Sequence, residues 1–168
     1  VGGRAEQFLI FDEKVILASL IKNKKIKLPI TFIGLGSNLL VRDGGIKGTV
    51  IVMHGGLKKI NDDDNLIYSE AGVSCSKLSK FSARKGLADS AFFSGIPGSI
   101  GGAIKMNAGC YGFETNDFLI SIKTINSKGE VCFLDKDKLK LTYRNSNLPN
   151  RDIIISANFD YTLGDKDE

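Results

Sequence analysis

The apolar residues of this chain recur with two periods, which predict strands in some segments and helices in others. Short runs rich in β-branched and aromatic residues predict strands at residues 7–11, 30–33, 49–53, 66–70 and 153–159. A broader, helical spacing predicts one helix that begins at Asp12 and a second from Ser74 to about Lys85. Gly86 then stands at the left-handed position that commonly follows a helix.

The second half of the chain adds a hairpin and a glycine-rich segment. Ile120 and Ile122 alternate with polar residues, and a turn at residues 127–129 leads into the apolar run 131–134. Leu139 and Leu141 also alternate, which predicts that the residues after them lie near the edge of a strand. Many strands with about two helices predict an α+β fold, with the helices packed on mixed or antiparallel sheets.

Composition narrows the class of protein. The chain has 168 residues, of which 42% are apolar and 25% charged, as in ordinary globular domains with one sizeable core. No apolar run approaches the roughly 18 residues of a membrane span. The net charge is +4, and only residues 22–27 cluster lysines, without the aromatic residues that stack on bases. We read that run as the solvated end of a helix, and expect neither a nucleic-acid nor a membrane partner.

The amino terminus and the cysteines indicate a compartment. The chain starts at Val1 without a Met or a signal segment, so we expect a cytoplasmic chain cut from a longer one. Cys75, Cys110 and Cys132 are widely spaced, and His54 is the only histidine, so neither a zinc site nor a disulfide framework is expected. A catalytic thiol at Cys110 stays open, although no histidine partner is evident; free thiols suit a reducing compartment.

The first loop that carries candidate chemistry (residues 34–39) follows a predicted strand and consists of Gly34, Leu35, Gly36, Ser37, Asn38 and Leu39. It begins like a dinucleotide fingerprint, but Leu39 replaces the third glycine and no acidic residue follows at the ribose-binding distance. Glycines let backbone N–H groups converge on one point, and Ser37 and Asn38 add side-chain donors, so the loop suits a phosphate oxygen. A plain tight turn uses the same residue types.

The second loop (residues 95–103) contains Gly95, Ile96, Pro97, Gly98, Ser99, Gly101, Gly102 and Ala103. It is not a Walker P-loop, because Ala103 follows Gly102 where Lys is required. Ordering so many glycines costs entropy, which favours backbone that approaches a flat or anionic ligand; a close crossing of two backbones is the alternative. Asn107, Gly109, Tyr111 and Gly112 continue this segment, and Arg144 could balance a ligand's negative charge unless it is a surface arginine.

Together these segments resemble the UDP-N-acetylenolpyruvoylglucosamine reductases, flavoproteins with a PCMH-type FAD-binding domain. Residues 1–5, 34–40, 95–112 and 143–146 match in order, over nearly the whole chain, and the glycine segment followed by Tyr-Arg-x-Ser is the specific part. The resemblance implies a two-lobed FAD-binding domain, with residues 1–55 as the first lobe and residues 56–164 as the second.

The resemblance also implies roles for the site residues. Both loops would hold the pyrophosphate of a non-covalently bound FAD through backbone N–H groups, and residues 107–112 would run near the flavin and the adenosine. NADPH would reduce the flavin, which would then reduce the enolpyruvyl double bond of a UDP-sugar for peptidoglycan synthesis. Arg144 matches the family's catalytic arginine, which steadies negative charge on the enolpyruvyl carboxylate. Tyr143 matches the neighbouring tyrosine at the flavin and substrate site.

One part of the family's machinery has no counterpart here. The proton-donating serine and a catalytic glutamate belong to a third domain, which we expect to begin at residues 165–168. The chain is then the flavin-binding part of the enzyme. Two alternatives stay open: another PCMH-type flavin oxidoreductase that acts on a different alcohol or sugar, and a flavin-binding fragment without activity of its own.

Overall fold

The computed structural model describes residues 2–10, 26–63, 66–149 and 151–161. Its strands are β1 (Ala5–Ile10), β2 (Ile30–Ile33), β3 (Ile46–Val52), β4 (Ile60–Asp63), β5 (Leu66–Glu70), β6 (Gly109–Cys110), β7 (Phe113–Glu114), β8 (Leu119–Ile125), β9 (Val131–Asp135) and β10 (Ile153–Asp160). Its helices are α1 (Cys75–Ala83), α2 (Ile100–Lys105), α3 (Thr115–Phe118) and α4 (Lys136–Leu139), with a 3₁₀ helix at Ala88–Gly95.

The first sheet is parallel and has the strand order β1-β3-β2. Its central strand, β3, buries Thr49, Val50 and Ile51, as expected for a parallel strand covered on both faces. The chain leaves the carboxyl end of β2 directly into the first loop, so this sheet positions Gly34 and the residues after it.

The second sheet is antiparallel and has the order β4-β5-β10-β8-β9. Its middle strand, β10, is buried from Ile153 to Ala157. Five aromatic rings pack with centroid separations of 4.1 to 5.8 Å between the 3₁₀ helix, α3 and β10: Phe92, Phe93, Phe118, Phe159 and Tyr161. Helix α2 contacts β5 and β10, which fixes the second loop over this sheet.

The expected fold class is confirmed, since parallel and antiparallel sheets carry few helices. The predicted strands are present with ends shifted by up to three residues, and the hairpin turns at Gly129, where φ is +78°. Ser74 caps α1 by accepting a hydrogen bond from Lys77 N at 3.2 Å, and Gly86 has φ +78°. The helix predicted from Asp12 lies outside the described residues.

One expectation is wrong: the residues after Leu139 do not lie at a strand edge. Leu139 ends the short helix α4, and residues 142–145 form a tight turn closed by two backbone hydrogen bonds between Thr142 and Asn145. Lys140 and Arg144 adopt φ of +45° and +55°, which interrupts any extended run. The alternation of Leu139 and Leu141 with polar residues therefore does not mark a strand here.

No helix in the described part of the chain is both long and apolar enough to cross a membrane.

Candidate functional site

A cleft of about 790 Å³ lies between the first sheet and helix α2. This is within the usual size range of small-molecule and cofactor sites, roughly 300–1,000 Å³. Both loops line it, together with residues from β2 and the start of β10. A smaller hollow of about 480 Å³ adjoins the cleft and shares Leu35, Ser37 and residues 95–98 with it. The two loops therefore have open space on both sides.

The first loop presents backbone donors to this cleft. The N–H groups of residues 34–38 donate to no acceptor in the described ranges, and the first internal hydrogen bond runs from Leu39 N to Gly36 O at 3.3 Å. Gly36 has φ +75°, the left-handed conformation that turns consecutive N–H groups towards one side. Five consecutive N–H groups without a partner among the described residues lie beside a cavity and are available to bind an anion.

The second loop meets the first. Ser37 donates its hydroxyl hydrogen to Pro97 O at 2.6 Å, so this side chain links the loops and its hydrogen is already used. A Cβ at Gly34 would collide with Ser99 Oγ, so only glycine permits this approach. The N–H groups of Gly98 and Ser99 also lack a partner among the residues described. The loops together form a single set of backbone donors.

The glycines of the second loop divide into two kinds. A Cβ on Gly101 would lie 2.9 Å from Ala71 Cβ, and Gly101 N donates to Ala71 O at 2.9 Å, so Gly101 serves a close crossing of two backbones. A Cβ on Gly98 or Gly102 would meet only a serine Oγ, at 3.4 and 3.5 Å. A side chain at Gly102 would meet no clash at its Cβ but would occupy the cleft, whereas one at Gly98, where φ is +157°, would also strain the backbone.

This donor set fits the pyrophosphate of FAD. The site offers uncharged N–H groups on backbone that a ligand can approach closely, in a cleft of sufficient volume. A side chain in place of Gly98 or Gly102 would narrow the space above these N–H groups. The residues present therefore match the group that the sequence analysis expects.

Arg144 follows both loops in the sequence and lines the same cleft. It lies in the 142–145 turn, lines the cleft, and its Cζ atom is 5.3 Å from the ring centroid of Tyr143. Tyr143 itself is 79% exposed and does not line the cleft. The guanidinium is a charged group on the wall of the cleft that a ligand bound by the two loops can meet.

Most of the predicted residues come together at the cleft, and four do not. Those that line it are Gly34, Leu35, Gly36, Ser37, Asn38, Leu39, Gly95, Ile96, Pro97, Gly98, Ser99, Gly101, Gly102, Ala103, Gly109 and Arg144. Tyr143, Tyr111 and Gly112 are exposed outside it. Asn107 is buried, and its amide is fully engaged within the protein, so it offers no side-chain donor to a ligand.

Lys105 and Asp152 also line the cleft, and sequence reasoning missed both. Lys105 Nζ donates to Leu148 O at 2.6 Å. Burial lowers the pKa of Lys105, an effect that the nearby Asp152 charge opposes, and burial raises the pKa of Asp152. The position of Lys105 inside the glycine segment was a usable signal. Asp152 gave none, because a charged residue before a strand is ordinary.

The cysteines form no disulfide and no metal cluster among the described residues. All three are free, and no group of three or more metal-ligating side chains occurs in the part of the chain that the structure describes. Burial raises the pKa of Cys75 to about 12, so its thiol stays protonated and unreactive at neutral pH. Cys110 is half-buried beside Gly95.

Comparison with known proteins agrees with this geometry. Residues 13–135 match the FAD binding domain family. The UDP-N-acetylenolpyruvoylglucosamine reductases of Coxiella burnetii and Legionella pneumophila are 38% and 44% identical, over 100% and 83% of this chain and 60% and 46% of their own. The crystal structure of UDP-N-acetylenolpyruvylglucosamine reductase (MurB) from Thermus caldophilus superimposes with a TM-score of 0.81 and 28% identity, covering 95% of this chain and 57% of that one.

The chain spans about half the length of the curated relatives that it matches. The family match covers both the first loop and the second, the loops whose unpaired N–H groups line the cleft. The chain therefore belongs to the FAD binding domain family.

Proposed function

We propose that this chain is the FAD-binding part of a cytoplasmic reductase that uses NADPH to convert UDP-N-acetylenolpyruvoylglucosamine into UDP-N-acetylmuramate for peptidoglycan. Its relatives carry the name of that enzyme. The observation that carries the proposal is the position of Arg144, a lone guanidinium on the wall of the cleft that the glycine loops line. From that position Arg144 can meet the carboxylate of the substrate while the N–H groups of the two loops hold the pyrophosphate.

We further propose that residues 1–55 and 56–164 act as two lobes that hold FAD between them. Support comes from the two larger sheets, since β1 to β3 build the parallel sheet and β4, β5, β8, β9 and β10 build the five-stranded antiparallel one. The first loop belongs to one sheet and the second loop to the other, so the pyrophosphate would bridge them.

In the proposed reaction, FAD supplies hydride transfer and the chain's own residues bind and stabilise. The N–H groups of residues 34–38, Gly98 and Ser99 would bind the pyrophosphate oxygens. Arg144 would meet the enolpyruvyl carboxylate, where its planar guanidinium offers two parallel donors to the negative charge that develops there. Tyr143, whose ring lies 5.3 Å from the Arg144 Cζ atom, would help to hold that guanidinium in place. On the family resemblance, the proton donor would come from the part of the relatives' length that this chain does not span.

The rival enzyme, another PCMH-type flavin oxidoreductase, is not favoured, because the relatives above are named as reductases of the UDP-sugar. A flavin-binding fragment without activity of its own remains compatible with the same cleft. The proposed reductase and an inactive flavin-binding fragment differ in turnover, which an experiment can measure.

The test is NADPH oxidation by the protein that carries this sequence, expressed from its whole reading frame. We expect absorbance at 340 nm to fall when UDP-N-acetylenolpyruvoylglucosamine is added, and UDP-N-acetylmuramate to appear in equal amount. UDP-N-acetylglucosamine, which lacks the enolpyruvyl group, is the control and should give no reaction. NADPH oxidation that is indifferent to the enolpyruvyl group would contradict the proposal.

A further inference from the structure

Asn107 lies between the second loop and the turn that carries Arg144. Its side chain is 1% exposed, and its φ of +41° is in the left-handed region, which asparagine tolerates better than most residues. Helix α2 ends just before it, and Asn107 N donates to Ile104 O at 3.1 Å. The residue is therefore fixed to the same helix that follows the second loop.

The amide of Asn107 makes three hydrogen bonds. Nδ2 donates to Glu114 Oε2 at 2.8 Å and to the carbonyl oxygen of Thr142 at 3.2 Å. Oδ1 accepts from Asn116 N at 3.0 Å. Both amide hydrogens are donated, as expected for a buried amide, which cannot bond to water. One of these hydrogen bonds joins Asn107 to the segment that contains Arg144.

The turn needs such a tether. Thr142 begins the turn, and Arg144 adopts φ +55°, a conformation that a residue with a side chain keeps only when its surroundings impose it. Thr142 and Arg144 are both exposed, so packing does not hold them. On the far side of the turn, Lys105 Nζ holds the carbonyl of Leu148 at 2.6 Å. The carboxyl end of α2 thus holds the segment at two points.

We propose that Asn107 is a positioning residue, whose amide holds the Thr142 carbonyl and thereby keeps the Arg144 guanidinium at the cleft lined by the second loop. The inference rests on the proposed function, because Arg144 acts on a rate only if substrate meets it there. It assigns Asn107 a role through Arg144 rather than contact with FAD.

The experiment separates the Thr142 bond from the other two. Asn107→Asp keeps the Oδ1 acceptor but removes both donors and places a carboxylate beside Glu114. Glu114→Gln in the same protein supplies a donor to that carboxylate and removes the repulsion. The double variant therefore loses the donation to Thr142 and sets a carboxylate oxygen against that carbonyl, so it releases the turn, and Glu114→Gln alone is its reference.

The first readout is hydrogen exchange of the 168-residue chain, which needs neither substrate nor turnover. The peptide that covers residues 141–147 should exchange roughly fivefold faster in the double variant than in Glu114→Gln, as expected for losing one neutral hydrogen bond. The peptide that covers β10 should not change. Equal exchange in the turn, or faster exchange in both peptides, overturns the tether.

The second readout is a double-mutant cycle on flavin reoxidation by UDP-N-acetylenolpyruvoylglucosamine, with the protein expressed from its whole reading frame. Relative to Glu114→Gln, the double variant should reoxidise roughly 10- to 100-fold more slowly, the scale of a misplaced group. In an Arg144→Ala background the same change should slow reoxidation less than about twofold, because Asn107 acts through Arg144.

Equal slowing in both backgrounds overturns the inference while the proposed function stands. If the unsubstituted protein is not reoxidised at all, the proposed function fails, and hydrogen exchange alone decides the tether.

Discussion

At the scale of single residues, the glycines of the second loop serve different purposes. Gly102→Val adds a branched side chain where a Cβ meets only Ser99 Oγ at 3.5 Å, so the fold accepts it and the cleft narrows. We expect FAD affinity to fall at least about tenfold, because one lost hydrogen bond to a charged group is worth about 1.5–3 kcal/mol. Titration of flavin fluorescence with the chain measures this.

Two other glycines give the controls for that titration. Gly44 has nothing within 4 Å of an added Cβ and lies outside the cleft, so Gly44→Ala should bind FAD as the parent does. Gly101→Val forces a side chain against Ala71, so it should lower the free energy of unfolding as well as the affinity. A folded Gly102→Val chain with unchanged FAD affinity would mean that the second loop is structural throughout.

The Cys75 thiol makes the stability of the chain depend on pH. Burial raises its pKa from 9.0 to about 12, so the folded state holds a proton that the unfolded state releases. This contribution is complete below about pH 9 and is lost as pH rises through 9 to 12. Burial raises the pKa of Tyr161 in the same direction.

We therefore expect the free energy of unfolding, measured in urea, to fall as pH rises from 9 towards 12. Cys75→Ala should flatten that fall, although its stability at pH 7 will be lower because a buried side chain is truncated. A parent chain equally stable at pH 8 and pH 11 would be the contrary result.

At the scale of elements, hydrophobic periodicity predicted the strands well because their burial follows it. Strand β3 ends in the apolar run Val50–Val52 in the middle of a parallel sheet, and the β8–β9 hairpin alternates around a glycine turn. The turn at residues 142–145 escaped prediction because it depends on local backbone geometry. Its left-handed residues and the Asn147 side chain, which donates to Lys140 O at 2.7 Å, leave no periodic signal.

The candidate site was predictable to a different degree at each element. The two loops were found because runs of glycine are costly unless backbone must approach a ligand. The burial of Asn107 was not foreseen, since a polar residue in a glycine segment is ordinarily exposed, and only the three-dimensional contacts with Glu114, Asn116 and Thr142 bury it. The family resemblance was the reason to expect Arg144 at the cleft, and the hydrophobic periodicity gave no indication of it.

At the scale of the whole molecule, FAD should be held by many backbone hydrogen bonds between the two sheets rather than by a covalent bond. The buried Cys75 thiol is protonated, and the described part of the chain shows no group that the resemblance assigns to covalent attachment. We expect acid or heat to release all flavin as free FAD into the supernatant. Flavin that stays with the precipitated polypeptide would contradict non-covalent binding.

The most direct test of the account compares the two half-reactions of Arg144→Ala, in the protein expressed from its whole reading frame, by stopped-flow absorbance of the flavin. Flavin content and the rate of reduction by NADPH should change little. Reoxidation by UDP-N-acetylenolpyruvoylglucosamine should slow by roughly 10²–10³, the scale for losing one charge-stabilising donor. Arg84→Ala, an exposed arginine outside the cleft, is the matched control. Equal slowing of reduction and reoxidation in Arg144→Ala would contradict the role assigned to the cleft's guanidinium.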